Sequence, residues 1–207
     1  MKNKNTQILK RIAMLITVCA LVITSVLTPM SASAAAKKPK ALNKYVMAKG
    51  EKWTFTIYDT AAKAKITYKT SNKKVATVNK KGLITAKKKG SANVTATIKQ
   101  GKKTYQAKIK ITVKTKLTPY EGVARGNAEL IFIYNYCYNL AKANGWLDNQ
   151  DAVDYLNACY DVVEASDLIT QNPDDYSDDD IVAELEAIIA MTSTMEDLIP
   201  VLAQPNS

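Results

Sequence analysis

The segment 68–90 constrains the fold of this chain more than any other, because short apolar strands alternate in it with polar turns. The turn 79–82 ends on Gly82, where glycine tolerates the positive φ of a reversal that is followed by a bulge. Gly90 then opens a further strand. The other turn is residues 71–74. The two short strands are residues 75–78 and 83–86. Strands and turns at this spacing predict a small antiparallel β-sandwich.

Strand periodicity extends on both sides of this segment, from residue 41 to residue 113. Apolar side chains at alternate positions give each strand one inward face. These positions are Trp53, Phe55, Ile57, Val94, Ala96, Ile98, Tyr105, Ala107, Ile109, Ile111 and Val113. The outward positions of the last strand are largely Lys and Thr, which suit a solvated face and discourage edge-to-edge aggregation.

Two stretches, SNKKVATVNKKG at 71–82 and TAKKKG at 85–90, resemble the bacterial Ig-like domain, group 2. The resemblance covers about residues 41–114 and is most specific in these stretches. It implies an Ig-like sandwich within a bacterial surface or secreted protein. Tyr68 stands where many members of that family carry tryptophan. This exchange changes the volume of the core and asks for a partner for the hydroxyl, but leaves the fold intact.

Charge divides the chain into a basic part and an acidic part. Residues 37–116 hold 23 Lys against two acids, a net charge of +21. Residues 117–207 hold Arg125 and Lys142 against 17 acids, a net charge of −15. This asymmetry predicts two domains with different surfaces. It also predicts that the two domains dock on each other, within a chain or head to tail between chains, at a range limited by charge screening to about 8 Å. A scattering profile that does not expand with added salt would argue against docking.

Residues 1–36 predict a secretory signal peptide. Basic residues come first, residues 12–27 are apolar, and a run of small residues offers cleavage after Ala34 or Ala36. A retained membrane anchor is the alternative, but the alanine run favours cleavage. We therefore expect a secreted or cell-surface protein of a Gram-positive bacterium, with no membrane span after cleavage.

The acidic part predicts an all-α, three-helix, up-down-up bundle. Its first helix begins with Thr118, Pro119 and Glu121, a capping box with proline at the first helical position, and Gly145 ends it. A second helix begins near residues 148–151. The predicted fold class is therefore mixed, with two domains. The predicted order is a signal peptide at 1–36, an Ig-like sandwich at 37–114, a linker at 115–118 and a helical bundle at 119–207.

The third helix begins at Ser177 with another capping box, and we expect Pro200 to end or kink it. Its apolar seam follows a heptad rhythm, which is typical of helix bundles. The seam positions are Ile181, Leu185, Ile188, Thr192, Met195 and Ile199.

The chain contains no histidine, which excludes Ser-His-Asp and Cys-His catalytic arrangements and most zinc sites. We expect a protein that is not an enzyme and that has no catalytic residue, metal or cofactor. A carboxylate pair of the helical half that acts on a glycan is the alternative. It is disfavoured because the acids concentrate in helix caps and exposed faces, whereas the seams are apolar.

The acidic run 174–180 allows two interpretations. Counted from Asp175, Ser177, Asp179 and Glu186 occupy positions of a calcium loop, but Asp180 stands where that loop needs glycine. Acids at the N-terminus of a helix are the simpler interpretation.

Cys137 and Cys159 lie on the seams of neighbouring helices, at similar height above a short connecting loop. We hypothesise a disulfide between them, which would stabilise the hairpin by about 3 kcal/mol. The alternative is two buried free thiols that act as small hydrophobic groups. A redox-active pair is disfavoured, because it needs an exposed, electropositive setting.

Lysine runs in and between the turns allow either a solvated face or a surface that binds polyanions of the cell wall or acidic polysaccharides. Nucleic acid is disfavoured, because no aromatic residues interleave the runs. The candidate binding residues are Lys73, Lys74, Lys80, Lys81, Lys87, Lys88, Lys89, Lys102 and Lys103.

Aromatic residues of the first helix are candidates for a contact with a surface protein, since such residues dominate interface hot spots. The candidates are Phe132, Tyr136 and Tyr138, whereas Tyr134 is expected to face the seam. Filling of the core is the alternative. Together these features predict a non-catalytic exported protein that acts in surface attachment, adhesion or envelope scaffolding.

Overall fold

The computed structural model describes residues 38–206, which divide after Leu117 into two compact units. A β-sheet region is followed by three helices, so the predicted mixed architecture is confirmed. We call residues 38–117 the β unit and residues 118–206 the helical unit. The predicted signal peptide lies outside the described residues.

Seven strands form two sheets in the β unit. The four-stranded sheet has the order β1-β7-β6-β3, and the three-stranded sheet has the order β2-β5-β4. The strands are β1 Lys44–Ala48, β2 Lys52–Thr54, β3 Lys65–Thr70, β4 Ala76–Val78, β5 Leu83–Ala86, β6 Gly90–Gln100 and β7 Lys103–Lys114. The long β6–β7 hairpin forms the centre of the larger sheet.

The core of the β unit comes from the alternating apolar positions, as the sequence predicts. Val94 and Ile98 on β6 and Ile109 and Ile111 on β7 are fully buried. Aromatic side chains extend this core: the rings of Tyr45 and Trp53 stack with their centroids 4.2 Å apart. The alternation therefore separates an apolar interior from a polar exterior on every long strand.

The first two strands differ from the prediction. β1 pairs with β7 in parallel, with Lys44 opposite Lys110, whereas the spacing predicts antiparallel pairing. Turn spacing determines the direction of consecutive strands only, and β1 and β7 are joined by no turn. The strand expected to continue from Trp53 to Ile57 ends at Thr54.

Three helices form the helical unit, and each begins at a capping residue. The helices are α1 Pro119–Ala143, α2 Gln150–Gln171 and α3 Asp178–Leu202. The capping boxes at Thr118 and Ser177 are confirmed. Asn149 caps α2, because its side chain accepts a hydrogen bond of 3.1 Å from the Ala152 amide. Gly145 follows α1 with a φ of 78°, as expected of a helix stop.

Close packing between α1 and α3 depends on two glycines of α1. A Cβ atom on Gly122 would lie 3.2 Å from Leu185, and one on Gly126 would lie 2.8 Å from Ile188. The second distance is shorter than real Cβ contacts allow. These glycines, which lower the intrinsic helix propensity of α1, therefore let α3 approach its backbone.

Three of the six predicted seam positions of α3 are buried, namely Ile181, Ile188 and Met195, and the rest of the buried stripe is shifted from the predicted seam. Leu185 and Ile199 are only half-buried, whereas Glu184 and Met191 are buried. A heptad seam serves one neighbouring helix, but α3 packs against both α1 and α2, which widens and shifts the stripe. The prediction is also incomplete at Pro200, since the helix continues to Leu202.

Candidate binding surfaces

Asparagine side chains shape the turns that carry lysine runs. Asn72 accepts a hydrogen bond of 3.0 Å from the Lys74 amide, and Asn79 accepts one of 2.8 Å from the Lys81 amide. Such side chain to backbone bonds fix a turn locally and leave the following side chains directed outward. All nine candidate lysines are exposed.

These nine lysines do not form one surface. The Lys87 amide donates to the Val75 carbonyl at 2.8 Å, which brings the run 87–89 beside the run 73–74. The run 102–103 follows the opposite end of β6, whose 11 residues span roughly 35 Å. Residues 80–81 lie at the tip of the β4–β5 hairpin. A single ligand therefore has no continuous surface across all four runs.

A second set of lysines lies on the outer face of the four-stranded sheet. We call this surface the sheet face, and its lysines are Lys44, Lys65, Lys69, Lys99, Lys108 and Lys110. All six are exposed, and strand register brings them together: Lys69 and Lys108 are both paired with Thr95 of β6. The sequence pattern predicted a solvated face only for the outward positions of the last strand, because the register that joins four strands cannot be read from one strand.

The aromatic residues proposed as a contact of the helical unit divide between interior and surface. Tyr136 is only 7% exposed and belongs to the core, which removes it from the predicted contact. Phe132 is partly buried, whereas Tyr138 is 39% exposed. The division follows from helical spacing, because residues two apart lie on different faces.

A tyrosine cluster on α1 and α2 takes the place of the predicted set. The ring of Tyr134 lies 6.2 Å from that of Tyr138 and 5.8 Å from that of Tyr160. Tyr134 does not point only to the seam as expected, and Tyr160 was missed. The signal was present in the sequence: Tyr138 and Tyr160 directly follow Cys137 and Cys159, which were predicted to lie at the same height.

Both cysteines of the described chain are buried free thiols, so the hypothesised disulfide is absent from this structure and stays a prediction. Burial, with a smaller effect of Glu196, raises the pKa of the Cys137 thiol to about 12. Burial and the neighbouring Cys137 raise the pKa of the Cys159 thiol to about 12. Thiols with such pKa values are poor nucleophiles near neutral pH.

A buried polar layer crosses the helical unit. Ser166 Oγ lies 2.9 Å from the Val162 carbonyl and 2.6 Å from Glu184 Oε1. A hydroxyl has one hydrogen and a carbonyl only accepts, so both contacts are hydrogen bonds when Glu184 is protonated and donates to Ser166. Burial raises the pKa of Glu184, and the hydrogen bond that the Ser166 hydroxyl donates to the ionised carboxylate opposes this effect only in part.

The same layer contains a second buried side chain, Asn127. Its Nδ2 donates to Asp167 Oδ1 at 2.7 Å. Its own Oδ1 has no hydrogen-bond partner among the described residues. This layer was not predicted from the sequence, because the acids were expected in helix caps and on exposed faces.

The acidic run 174–180 includes the N-terminal cap of α3 and its first turn. Asp180 accepts hydrogen bonds from the amide and the hydroxyl of Ser177, at 3.0 and 2.7 Å. Within residues 38–206, no group of three or more His, Cys, Asp or Glu side chains could hold a metal ion. No helix in this range has the length and apolar character that crossing a bilayer requires.

The β unit is an Ig-like sandwich by its two sheets and their core. Its residues 41–109 match the model of the bacterial Ig-like domain, group 2, which confirms the resemblance. Domains of this family occur in surface and extracellular bacterial proteins. No family is matched in the helical half, and no curated protein matches the chain.

Proposed function

We propose that this chain is an exported, non-catalytic protein that attaches to the cell envelope of a Gram-positive bacterium through its Ig-like β unit. The match to a family of surface and extracellular proteins supports this proposal, and so does the predicted signal peptide. The observation that carries it is the charge of the β unit, where 22 lysines oppose two acids.

Anionic polymers of the envelope, such as wall teichoic acids or acidic polysaccharides, are the proposed ligands. A surface of one sign attracts such polymers and raises their local concentration. Lysine contacts an anion as a point charge rather than through a planar fork, so the selectivity of this attraction is low. Its strength falls with salt, because exposed charges are screened.

Co-sedimentation with purified Gram-positive cell walls across a salt series tests this proposal. A chain that begins at Lys37 is compared with its two parts, 37–116 and 117–207. We expect the chain and its basic part to bind at low salt and to be released as salt rises. Absence of binding by both at low salt would refute attachment through the β unit.

A second candidate function is a protein contact through the tyrosine cluster of the helical unit. The observation that favours it is the exposure of Tyr138 and Tyr160 beside Tyr134, since exposed aromatic clusters are unusual away from interfaces. In the same experiment, binding by residues 117–207 that is insensitive to salt would assign attachment to this cluster instead.

A further inference from the structure

We propose that the β unit binds a linear phosphodiester polymer along the sheet face, and not at the lysine-rich turns. This inference rests on the proposed function and assigns its site. The sheet face is the outer surface of the four strands, and it presents six exposed lysines. A linear polymer with one negative charge per repeat matches a surface whose cations are spread over four neighbouring strands.

Lysines that face one another on neighbouring strands repel each other on the sheet face. Lys65 lies directly opposite Lys99, and Lys44 lies directly opposite Lys110. Like charges in such positions destabilise a sheet. No Asp or Glu on these four strands relieves them, because the acids of residues 37–116 are Glu51 and Asp59, and both lie outside the strands. A bound polyanion would remove this repulsion.

Half of the lysines of the sheet face lie on central strands of the sheet and not on its edges. Lysines that prevent edge-to-edge pairing are needed on edge strands only, which are β1 and β3 here. Lys99, Lys108 and Lys110 lie instead on the central strands β6 and β7, whose edges are already paired. Protection of the edges therefore does not explain half of the set.

The lysines of the sheet face are regularly spaced, and polar side chains lie between them. Lys108 and Lys110 are about 7 Å apart along β7, and Lys69 lies about 10 Å across the sheet from Lys108. Thr95 lies between Lys69 and Lys108, and Asn93 is paired with Lys110. Hydroxyl and amide groups donate hydrogen bonds to phosphate oxygens, so the row combines charge with polar donors.

A membrane surface is the disfavoured alternative. Association with a bilayer interface requires apolar side chains that enter the headgroup region. The outward positions of the sheet are almost all Lys, Thr, Ser, Asn or Gln, and the apolar exceptions are Val46 and Ala48 on the edge strand β1. The sheet face therefore fits a polymer that lies across it.

Two variants with equal charge test the site, in a chain that begins at Lys37 and contains both units. The sheet-face variant is K69Q/K108Q/K110Q, and the turn variant is K87Q/K88Q/K89Q. Affinity for inorganic polyphosphate of fixed length is measured across a salt series. We expect the sheet-face variant to bind about tenfold more weakly or worse, with the slope of log affinity against log salt reduced by about 2. The turn variant should stay within about twofold of the unmodified chain.

Each other outcome has a distinct meaning. Equal losses in both variants, or a loss in the turn variant alone, would overturn the sheet face as the site and leave attachment by the basic unit standing. Binding to phosphatidylglycerol vesicles without binding to polyphosphate would overturn the linear polymer in favour of a membrane. Absence of binding to both polyphosphate and cell walls would refute the proposed function itself. The melting temperature of the sheet-face variant should not fall, because the substitutions remove repulsion and no buried contact.

Discussion

The two units of this chain differ in where their polar side chains lie. In the β unit, strict alternation sends nearly every polar side chain outward, and Gln100 is its one buried polar residue among those described. The helical unit buries Asn127, Ser166 and Glu184 within its core. The difference shows that a period of two separates surface from core sharply, whereas a helix that contacts two neighbours buries positions between its apolar rows.

The largest effect is expected from a substitution that disrupts the turn 79–82 of the β unit. Gly82 has a φ of 82°, and a Cβ atom there would lie 2.9 Å from the Tyr68 ring. The substitution Gly82→Val therefore adds backbone strain to a clash, and we expect it to lower the free energy of unfolding by about 3 kcal/mol. Chemical denaturation measures this loss.

The matched control is Gly101→Val in the β6–β7 turn. Gly101 also has a positive φ, of 58°, but a Cβ atom there meets nothing within 4 Å. It should cost about 1 kcal/mol, from backbone strain alone. Equal losses at the two glycines would show that the Tyr68 contact is unimportant.

The next effect concerns the packing of α1 against α3. Alanine in place of a helical glycine usually stabilises a helix by about 1 kcal/mol. At Gly126 the new Cβ would lie 2.8 Å from Ile188 Cγ2, so we expect Gly126→Ala to destabilise the helical unit by about 1–2 kcal/mol. Gly122→Ala is the control, because its contact is the flexible end of the half-buried Leu185. A stabilising effect at Gly126 would contradict the close approach of the two helices.

The smallest effect, and the one that depends on pH, tests the buried carboxyl of α3. Burial raises the pKa of Glu184, so at a pH between the unfolded and folded pKa values the folded chain holds a proton that the unfolded chain has lost. The free energy of unfolding should therefore fall as the pH rises from about 4.3, the unfolded value, through the pKa of the folded state. Glu184→Gln keeps the donor to Ser166 and removes this titration. We expect it to stabilise the chain by about 1 kcal/mol at alkaline pH and by almost nothing near pH 4.

Glu186→Gln provides the control for the same charge change on an exposed position of α3. It should alter the free energy of unfolding by less than about 0.5 kcal/mol at either pH. A destabilising effect of Glu184→Gln at alkaline pH would show that the ionised carboxylate is needed in the core.

The features that can be predicted from the sequence are those whose interacting residues lie close together along the chain. The strand and turn limits around Gly82 and the capping box at Thr118 are local, and reasoning from adjacent residues found them. The parallel partner of β1 and the sheet face depend on register between distant strands, which no local pattern contains. The burial of Glu184 was not predicted, because a regular heptad assigns its neighbour Leu185 to the seam.

The parallel pairing of β1 with β7 has a mechanical consequence for the β unit under load. A force applied to the two ends of the β unit pulls β1 by its first residue and β7 by its last, in opposite directions along paired strands. This geometry loads the hydrogen bonds from Lys44 to Ala48 in shear, so that they resist the load together instead of opening one after another. An antiparallel pair at the same place would unzip. The β unit should therefore resist a load applied between its N-terminal end and the chain that follows Lys114.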